Sequence, residues 1–308
     1  MKKILLVPIF LLSFHCSSNT SSQSSHETDT NPILSSVTNW TYQLQNIVPA
    51  DIGASAFDLA VIDYSADGDD ATAFTSAEVE IMRSNDDTKK LMLSYLSIGE
   101  AEDYRYYFDA DASYMDIENP DWAGNFKVFY WEDEWQVVIE GYLDKIVAAG
   151  FDGVYLDIID AYEYYGEGGD SGLERASAAD DMVNFVIRLS EHARETNPNF
   201  LVFPQNGAGI INDSTLVDEY FAAIDGIGAE DSFYFGDEDE NNPLDEQTDT
   251  LADLDTFVNE GKLVLSVDYL TEADKVDDYY ERAENHDYIP YATVRELDAL
   301  TVNLGHTP

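Results

Sequence analysis

Short apolar runs alternate with longer amphipathic stretches from residue 39 to near the end of the chain. Eight of the apolar runs have the length and composition that are typical of buried strands. In chain order, these predicted strands cover residues 41–45, 59–63, 91–99, 153–157, 201–206, 226–230, 263–268 and 289–293. Strands that alternate with helices form a parallel sheet, so eight of them predict an α/β fold of the TIM (β/α)8 barrel type, as a single domain over residues 39–304.

The amphipathic stretches repeat their apolar residues with the period of an α-helix. Predicted helices cover residues 76–84, 134–149, 178–196, 213–223, 250–260 and 272–285. The stripe of residues 134–149 ends at Gly150, a residue that is typical of helix C-termini. Pro290 is unusual inside the last predicted strand, because proline cannot donate to a strand ladder. Two long polar loops, 160–172 and 236–249, follow the fourth and sixth strands.

The first residues are typical of an export signal. Lys2 and Lys3 precede an apolar run over residues 4–12, which is too short to span a bilayer. We therefore predict a secretory or lipoprotein-type signal peptide over residues 1–16, lipidation at Cys16, and a Ser/Thr-rich tether over 17–38. The alternative is a plain signal peptide with an incidental cysteine. Both predict a protein outside the cytoplasm, secreted or lipid-anchored to the cell envelope.

The chain is strongly acidic, with 62 Asp and Glu against 15 Lys and Arg and a formal net charge of −47. Removal of the predicted leader takes two lysines away and leaves −49. A field of this sign repels nucleic acid and anionic membrane surfaces, so neither is expected as a partner, and the only membrane contact would be the lipid anchor. A cationic ligand or a saline habitat suits the charge, and simple surface solvation is the alternative. We expect a monomer.

Cysteine and histidine usage narrows the chemistry. The only cysteine is Cys16, so no intrachain disulfide and no thiolate cluster can form. The five histidines have none of the spacings of common zinc motifs, and no cofactor or metal is predicted. They are His15, His26, His192, His286 and His306. A Ser-His-Asp triad is also disfavoured.

Several predicted strands end in a carboxylate or an amide. These residues are Asp63, Glu100, Asp157, Asn206, Glu230 and Asp268. In a TIM barrel the carboxyl ends of the strands meet at the active-site face, although each such residue could instead cap the helix that follows it. Glycoside hydrolysis needs two carboxyl groups and no metal, and 20 Tyr and 4 Trp offer platforms for sugar rings.

One run of the sequence, AGFDGVYLD over residues 149–157, resembles the signature of the endo-α-1,4-polygalactosaminidases, glycoside hydrolase family 114. Further short motifs agree in order: DYS at 63–65, YLSIGE at 95–100, NPDW at 119–122, PQNG at 204–207 and GAE at 228–230. The resemblance implies a TIM barrel that hydrolyses an α-1,4-linked, galactosamine-rich and therefore cationic polysaccharide.

The resemblance also implies residue roles. Asp157 matches the aspartate of the family's fourth strand and Glu230 the glutamate of its sixth, which implies a nucleophile and a general acid/base in a retaining mechanism. The residues expected to bind substrate are Asp63, Tyr95, Glu100, Tyr155, Asn206 and Asp268. Two other functions stay open: a glycosidase of neutral α-galactosides, and a barrel that binds or helps export a polysaccharide without cleaving it.

The loop after the sixth strand resembles the start of a calcium loop at Asp237, Asp239 and Asn241. Asn242 stands where an EF-hand needs glycine and Thr248 where it needs glutamate, so an EF-hand is not expected. A calcium site of another kind and a solvated acidic lid are the remaining interpretations of this loop.

Overall fold

The computed structural model describes residues 31–84 and 89–308. In chain order its strands are β1 Trp40–Gln43, β2 Leu59–Ile62, β3 Leu91–Ser97, β4 Glu100–Glu102, β5 Met115–Glu118, β6 Asn125–Val128, β7 Gly153–Asp157, β8 Leu201–Pro204, β9 Gly226–Glu230, β10 Leu263–Tyr269 and β11 Ile289–Thr293. The helices are α1 Pro49–Ala54, α2 Ser76–Arg83, α3 Asp133–Ala149, α4 Ala161–Tyr165, α5 Ala178–Thr196, α6 Ile210–Asp213, α7 Val217–Ala223, α8 Thr248–Asn259 and α9 Ala273–Asn285. Each of the eight predicted strands corresponds to one parallel strand, and the fold is the predicted TIM barrel.

The barrel consists of two hydrogen-bonded arcs, β1-β2-β3-β7-β8 and β9-β10-β11, with parallel neighbours throughout. The arcs meet just beyond β8, where the Asn206 N–H donates to the Gly228 carbonyl at 2.8 Å. At the other seam, between β11 and β1, the Trp40 indole N–H donates to the Ile289 carbonyl at 2.8 Å. Pro290 lies at this second seam, where its missing N–H removes no bond to β1.

Helix α3 shows why the outer layer forms. Its predicted apolar stripe packs on the sheet and buries Ile139, Tyr142, Leu143 and Ile146, each worth about 1.5–3 kcal/mol. Gly150 ends the helix in the left-handed region at φ 93°, as predicted, because glycine adopts this conformation without a steric penalty.

Aromatic side chains fill the interior of the barrel. The rings of Trp40, Tyr42 and Tyr155 lie 5.3–6.2 Å apart between centroids. Gly228 of β9 makes room for Tyr155, because a Cβ there would lie 1.8 Å from the tyrosine hydroxyl oxygen. The barrel is therefore a packed core, and a ligand has access only at its ends.

A small antiparallel sheet, ordered β4-β6-β5, follows the carboxyl end of β3 and was not predicted. Its strands have only three or four residues each, too few to show a clear alternation of apolar and polar side chains. Because β4 starts three residues after β3 ends, the insert lies at the face of the barrel where the predicted site residues are found.

Other boundaries also differ from the predictions. Within the range predicted as a tether, residues 32–36 form a 3-10 turn, and Leu34 and Val37 are buried against the barrel. The predicted helix over 213–223 starts later, as α7 at Val217, and α6 ends where the prediction begins, at Asp213. The predicted loop 160–172 contains α4. The predicted signal peptide and Cys16 lie outside the described residues. Within the described ranges, no helix is both long and apolar enough to cross a membrane.

Candidate active site

Two carboxylates end strands of the barrel wall that are separated only by β8. Asp157 is the last residue of β7 and Glu230 the last of β9, and both side chains are partly exposed. The Tyr95 hydroxyl of β3 donates to Asp157 Oδ2 at 2.7 Å. Ile158 turns the chain directly after Asp157 with φ 60°, a rare value for a β-branched residue. Such strain is typical of functional sites, where the surrounding fold imposes it.

Both carboxylate oxygens of Glu230 have donors. The Tyr269 hydroxyl, from the end of β10, donates to Oε1, and Asn206 Nδ2 donates to Oε2 at 2.9 Å. In return the Glu230 N–H donates to Asn206 Oδ1 at 3.0 Å. Asn206 has φ 60°, and asparagine is among the few residues that adopt this conformation readily. The side chain of Glu230 is thus held from two neighbouring strands.

The two carboxylates interact electrostatically. Burial and the charge of Glu230 raise the pKa of Asp157 well above its usual range, and the hydrogen bond from Tyr95 opposes that rise. Two such carboxyls do not ionise independently, so the pair retains a proton to higher pH than a free aspartic acid would. One proton shared between two carboxyls is the condition in which one acts as an acid and the other as a nucleophile or base.

A third carboxylate, Asp160, lies beside this pair. It follows Asp157 by three residues, at the N-cap of α4, and was not predicted as a site residue. Although part of the residue is exposed, restricted hydration of its carboxyl and the charges of Glu163 and Glu100 raise its pKa to about 6. The sequence signal that could have found it is a second acid directly after the fourth strand.

Glu100, predicted to bind substrate, starts the inserted sheet and is 1% exposed. Its Oε1 accepts a hydrogen bond from Asn119 Nδ2 at 2.8 Å and pairs with Lys127 Nζ at 3.4 Å, while Oε2 has no partner among the described residues. The Lys127 ammonium also lies 4.5 Å from the ring centroid of Tyr164. This corner of the site therefore already holds one ammonium group between a carboxylate and an aromatic face.

Two other predicted substrate-binding acids have internal partners in place of the substrate contacts expected from the sequence. Asp63 accepts two hydrogen bonds from the Arg105 guanidinium, at 2.9 and 2.7 Å. Asp268 is completely buried and accepts the backbone N–H groups of three consecutive residues. These are Ser232, Phe233 and Tyr234. Both acids therefore stabilise the loops around the site, which is the structural role that an acid at a strand end can also take.

Tyr155, also predicted to bind substrate, is fully buried in the barrel interior, and its hydroxyl has no partner among the described residues. The structure thus brings together four of the predicted residues, Asp157, Tyr95, Glu230 and Asn206. Glu100 lies near enough to Asp160 for the two charges to interact, and Asp160 in turn interacts with Glu230. Sequence reasoning missed Tyr269 and Arg105 because no local pattern connects them with the acids that they contact.

No part of the described chain offers a metal site by its grouping of side chains. Across residues 31–84 and 89–308, no three His, Cys, Asp or Glu residues cluster so as to hold a metal ion. In the loop that resembles a calcium motif, Asn241 Oδ1 accepts the N–H groups of Thr271 and Glu272, and Asn242 bonds to the backbone of Glu238. These two amides are therefore engaged in shaping the loop.

Known proteins resemble this chain over most of its length. A model of glycoside-hydrolase family GH114 matches residues 19–306. An uncharacterised protein of Thermotoga maritima is 37% identical over 289 residues, which cover 88% of this chain and 85% of that protein. The uncharacterised protein MJ1477 of Methanocaldococcus jannaschii is 36% identical over 276 residues, 85% of this chain and 77% of the relative.

Solved structures agree with the fold. The glycoside hydrolase domain of PelA from Pseudomonas aeruginosa has a TM-score of 0.66 at 17% identity, over 86% of this chain and 98% of that one. Aspergillus fumigatus Ega3, solved in complex with galactosamine, has a TM-score of 0.63 at 16% identity, over 85% of this chain and 93% of that one. Because the family model spans nearly the whole chain and the paired carboxylates lie at the active-site face of the barrel, the chain belongs to glycoside hydrolase family 114.

Proposed function

We propose that this glycoside hydrolase cleaves α-1,4 bonds in galactosamine-rich, cationic polysaccharides by a retaining mechanism with two carboxylates. The observation that carries the proposal is the pair Asp157 and Glu230, which end β7 and β9, interact through their charges and are each held by a tyrosine. No cofactor takes part, and the enzyme acts as a monomer.

In this mechanism Glu230 is the general acid and donates a proton to the glycosidic oxygen as the bond from C1 to that oxygen breaks. The Asp157 carboxylate attacks C1 and forms a glycosyl ester. Glu230, now ionised, accepts a proton from water, whose oxygen attacks C1 and releases Asp157. The raised pKa of Asp157 in the free protein requires that substrate favours its ionised form. A cationic sugar does so, because positive charge nearby lowers the pKa of a carboxyl.

The charge of the site supports an amino sugar. Glu100, Asp160 and Glu163 add negative charge beside the catalytic pair, and the whole chain carries −47. An ammonium group on each sugar would complement this field, whereas a neutral galactoside gains nothing from it. The complex of Ega3 with galactosamine supports the same substrate class. The predicted leader and Cys16 support a location of this activity outside the cytoplasm, either secreted or lipid-anchored to the cell envelope.

The substrate is tested by incubating the protein with α-1,4-galactosamine oligomers, their N-acetylated forms and a neutral α-galactoside, with Asp157→Asn as the inactive control. We expect shortened products from the free-amine oligomers. Cleavage of the neutral galactoside alone would contradict the choice of substrate. Binding of oligomers without any cleavage would contradict the enzymatic proposal and favour a polysaccharide-binding barrel.

Asp160→Asn should raise KM for free-amine oligomers about 10-fold or more at pH 7.5, because a carboxylate–ammonium contact contributes about 1.5–3 kcal/mol. With a pKa of about 6 the wild-type carboxyl is ionised at pH 7.5 and increasingly protonated below pH 6. The difference between wild type and variant should therefore shrink at pH 5. Steady-state kinetics at both pH values measures it, and Asp249→Asn, an exposed acid in the first turn of α8, is the control. Equal KM values at pH 7.5 would exclude an ammonium contact at Asp160.

A further inference from the structure

Arg295, which follows β11 by two residues, stacks on the tyrosine that holds Glu230. Its guanidinium carbon lies 4.1 Å from the ring centroid of Tyr269, whose hydroxyl donates to Glu230 Oε1. Arg295 Nη2 also pairs with Asp231 Oδ2 at 2.8 Å, and Asp231 is the next residue after Glu230. The Arg295 side chain thus contacts both Tyr269, which is bonded to Glu230, and Asp231, which follows Glu230 in the sequence.

The same arginine is held by the acidic loop, residues 231–247, that follows β9. Arg295 Nε donates to the Asp239 carbonyl at 3.0 Å, and its backbone N–H donates to Glu240 Oε1 at 3.3 Å. The loop is in turn fastened to β10, since the Asn241 N–H donates to the Tyr269 carbonyl at 2.9 Å. Tyr269 is therefore fixed through its ring by Arg295 and through its backbone by the loop.

We propose that Arg295 is a positioning residue for the acid/base Glu230, acting through Tyr269, and that the acidic loop serves to hold it there. This proposal rests on the proposed function. Stacking fixes the direction of the tyrosine hydroxyl, and that hydroxyl fixes one oxygen of Glu230. The guanidinium also supplies positive charge near a cluster of carboxylates, which favours their ionised forms. A planar guanidinium can stack on the Tyr269 ring and pair with the Asp231 carboxylate at the same time, whereas the ammonium of a lysine in this position would keep only the positive charge.

The test compares Arg295→Gln and Arg295→Lys with wild type. For Arg295→Gln we expect kcat to fall about 10- to 100-fold with KM changed by less than about threefold, because a misplaced acid/base affects the transition state more than binding. The alkaline limb of the pH profile of kcat/KM should move to higher pH, since loss of a nearby positive charge makes the catalytic proton harder to remove. Arg295→Lys should return this limb toward its wild-type position and recover kcat only in part.

The matched control is Arg188→Gln on α5, where the arginine pairs with Asp133 and Glu140 and has similar side-chain exposure, 32% against 25% for Arg295. It should change neither kcat nor the pH profile. A substrate-free readout is the NMR titration midpoint of the carboxyl signal that disappears in Glu230→Gln, which should rise in Arg295→Gln.

An unchanged midpoint and an unchanged alkaline limb in a folded Arg295→Gln protein would overturn the proposal and leave Arg295 a purely structural role. Thermal unfolding shows whether each variant is folded. If wild type cleaves none of the oligomers, the proposed function fails, and the substrate-free titration still decides whether Arg295 acts on Glu230.

Discussion

Asp157→Asn should lower kcat on galactosamine oligomers by about 1,000-fold or more while the fold stays intact, because the amide has the size of the carboxyl but cannot act as a nucleophile. The variant should be as stable as wild type or slightly more so. Asparagine removes a carboxyl whose ionisation burial and Glu230 both disfavour, as the raised pKa of Asp157 shows. Turnover of purified variant and wild type, together with their thermal unfolding, measures both effects.

The matched control is Asp249→Asn, an exposed acid in the first turn of α8, which should leave kcat unchanged. Asp157→Ala with added azide provides a sharper check of the role. In a retaining enzyme the small anion takes the nucleophile's position, restores part of the turnover and gives a glycosyl azide of inverted configuration. Near-wild-type turnover by Asp157→Asn would show that another residue is the nucleophile.

Arg105→Ala should be the most destabilising single change near the site. The arginine is fully buried and pairs with Asp63 and Glu102, and it also donates to the Tyr142 hydroxyl at 2.8 Å. Its removal leaves two buried carboxylates without a counter-charge, which costs about 3–5 kcal/mol. At about 2–4 °C per kcal/mol for a protein near this size, the unfolding midpoint should fall by about 6–20 °C.

Scanning calorimetry of Arg105→Ala and wild type at pH 7.5 measures this loss. Lys89→Ala, which breaks a highly exposed pair with Glu80, is the control and should cost less than about 1 kcal/mol at the same pH. An equal loss of stability in Arg105→Ala and Lys89→Ala would mean that the buried ion pairs of Arg105 contribute no more to folding than an exposed pair does.

The sequence was sufficient to predict the barrel and the position of several acids at its strand ends. A run of apolar residues that stops at an acid marks both the strand and its end, as for Asp157 and Glu230, and parallel strands bring such ends together. Helix α3 was equally predictable, because its apolar stripe and Gly150 agree with each other.

Contacts between distant segments were not predictable in this way. The acid after a strand has the same local sequence whether it faces substrate or a partner inside the protein. Asp63 is separated by 42 residues from Arg105, and that arginine lies in a region whose strands are too short to recognise. The contacts that join Arg295 to Tyr269 and Tyr269 to Glu230 likewise form only when β9, β10 and the segment after β11 come together.

The seam between the first and last strands has a consequence for synthesis of the protein. The indole N–H of Trp40 gains its hydrogen-bond acceptor, the carbonyl of Ile289, only after 249 further residues have been synthesised. The five-stranded arc can form while the chain is still growing, but its first strand stays uncovered on one side until the last strand has emerged and packs beside it. Chains truncated before residue 289 should therefore expose that strand edge and associate with one another, because exposed strand edges are templates for aggregation.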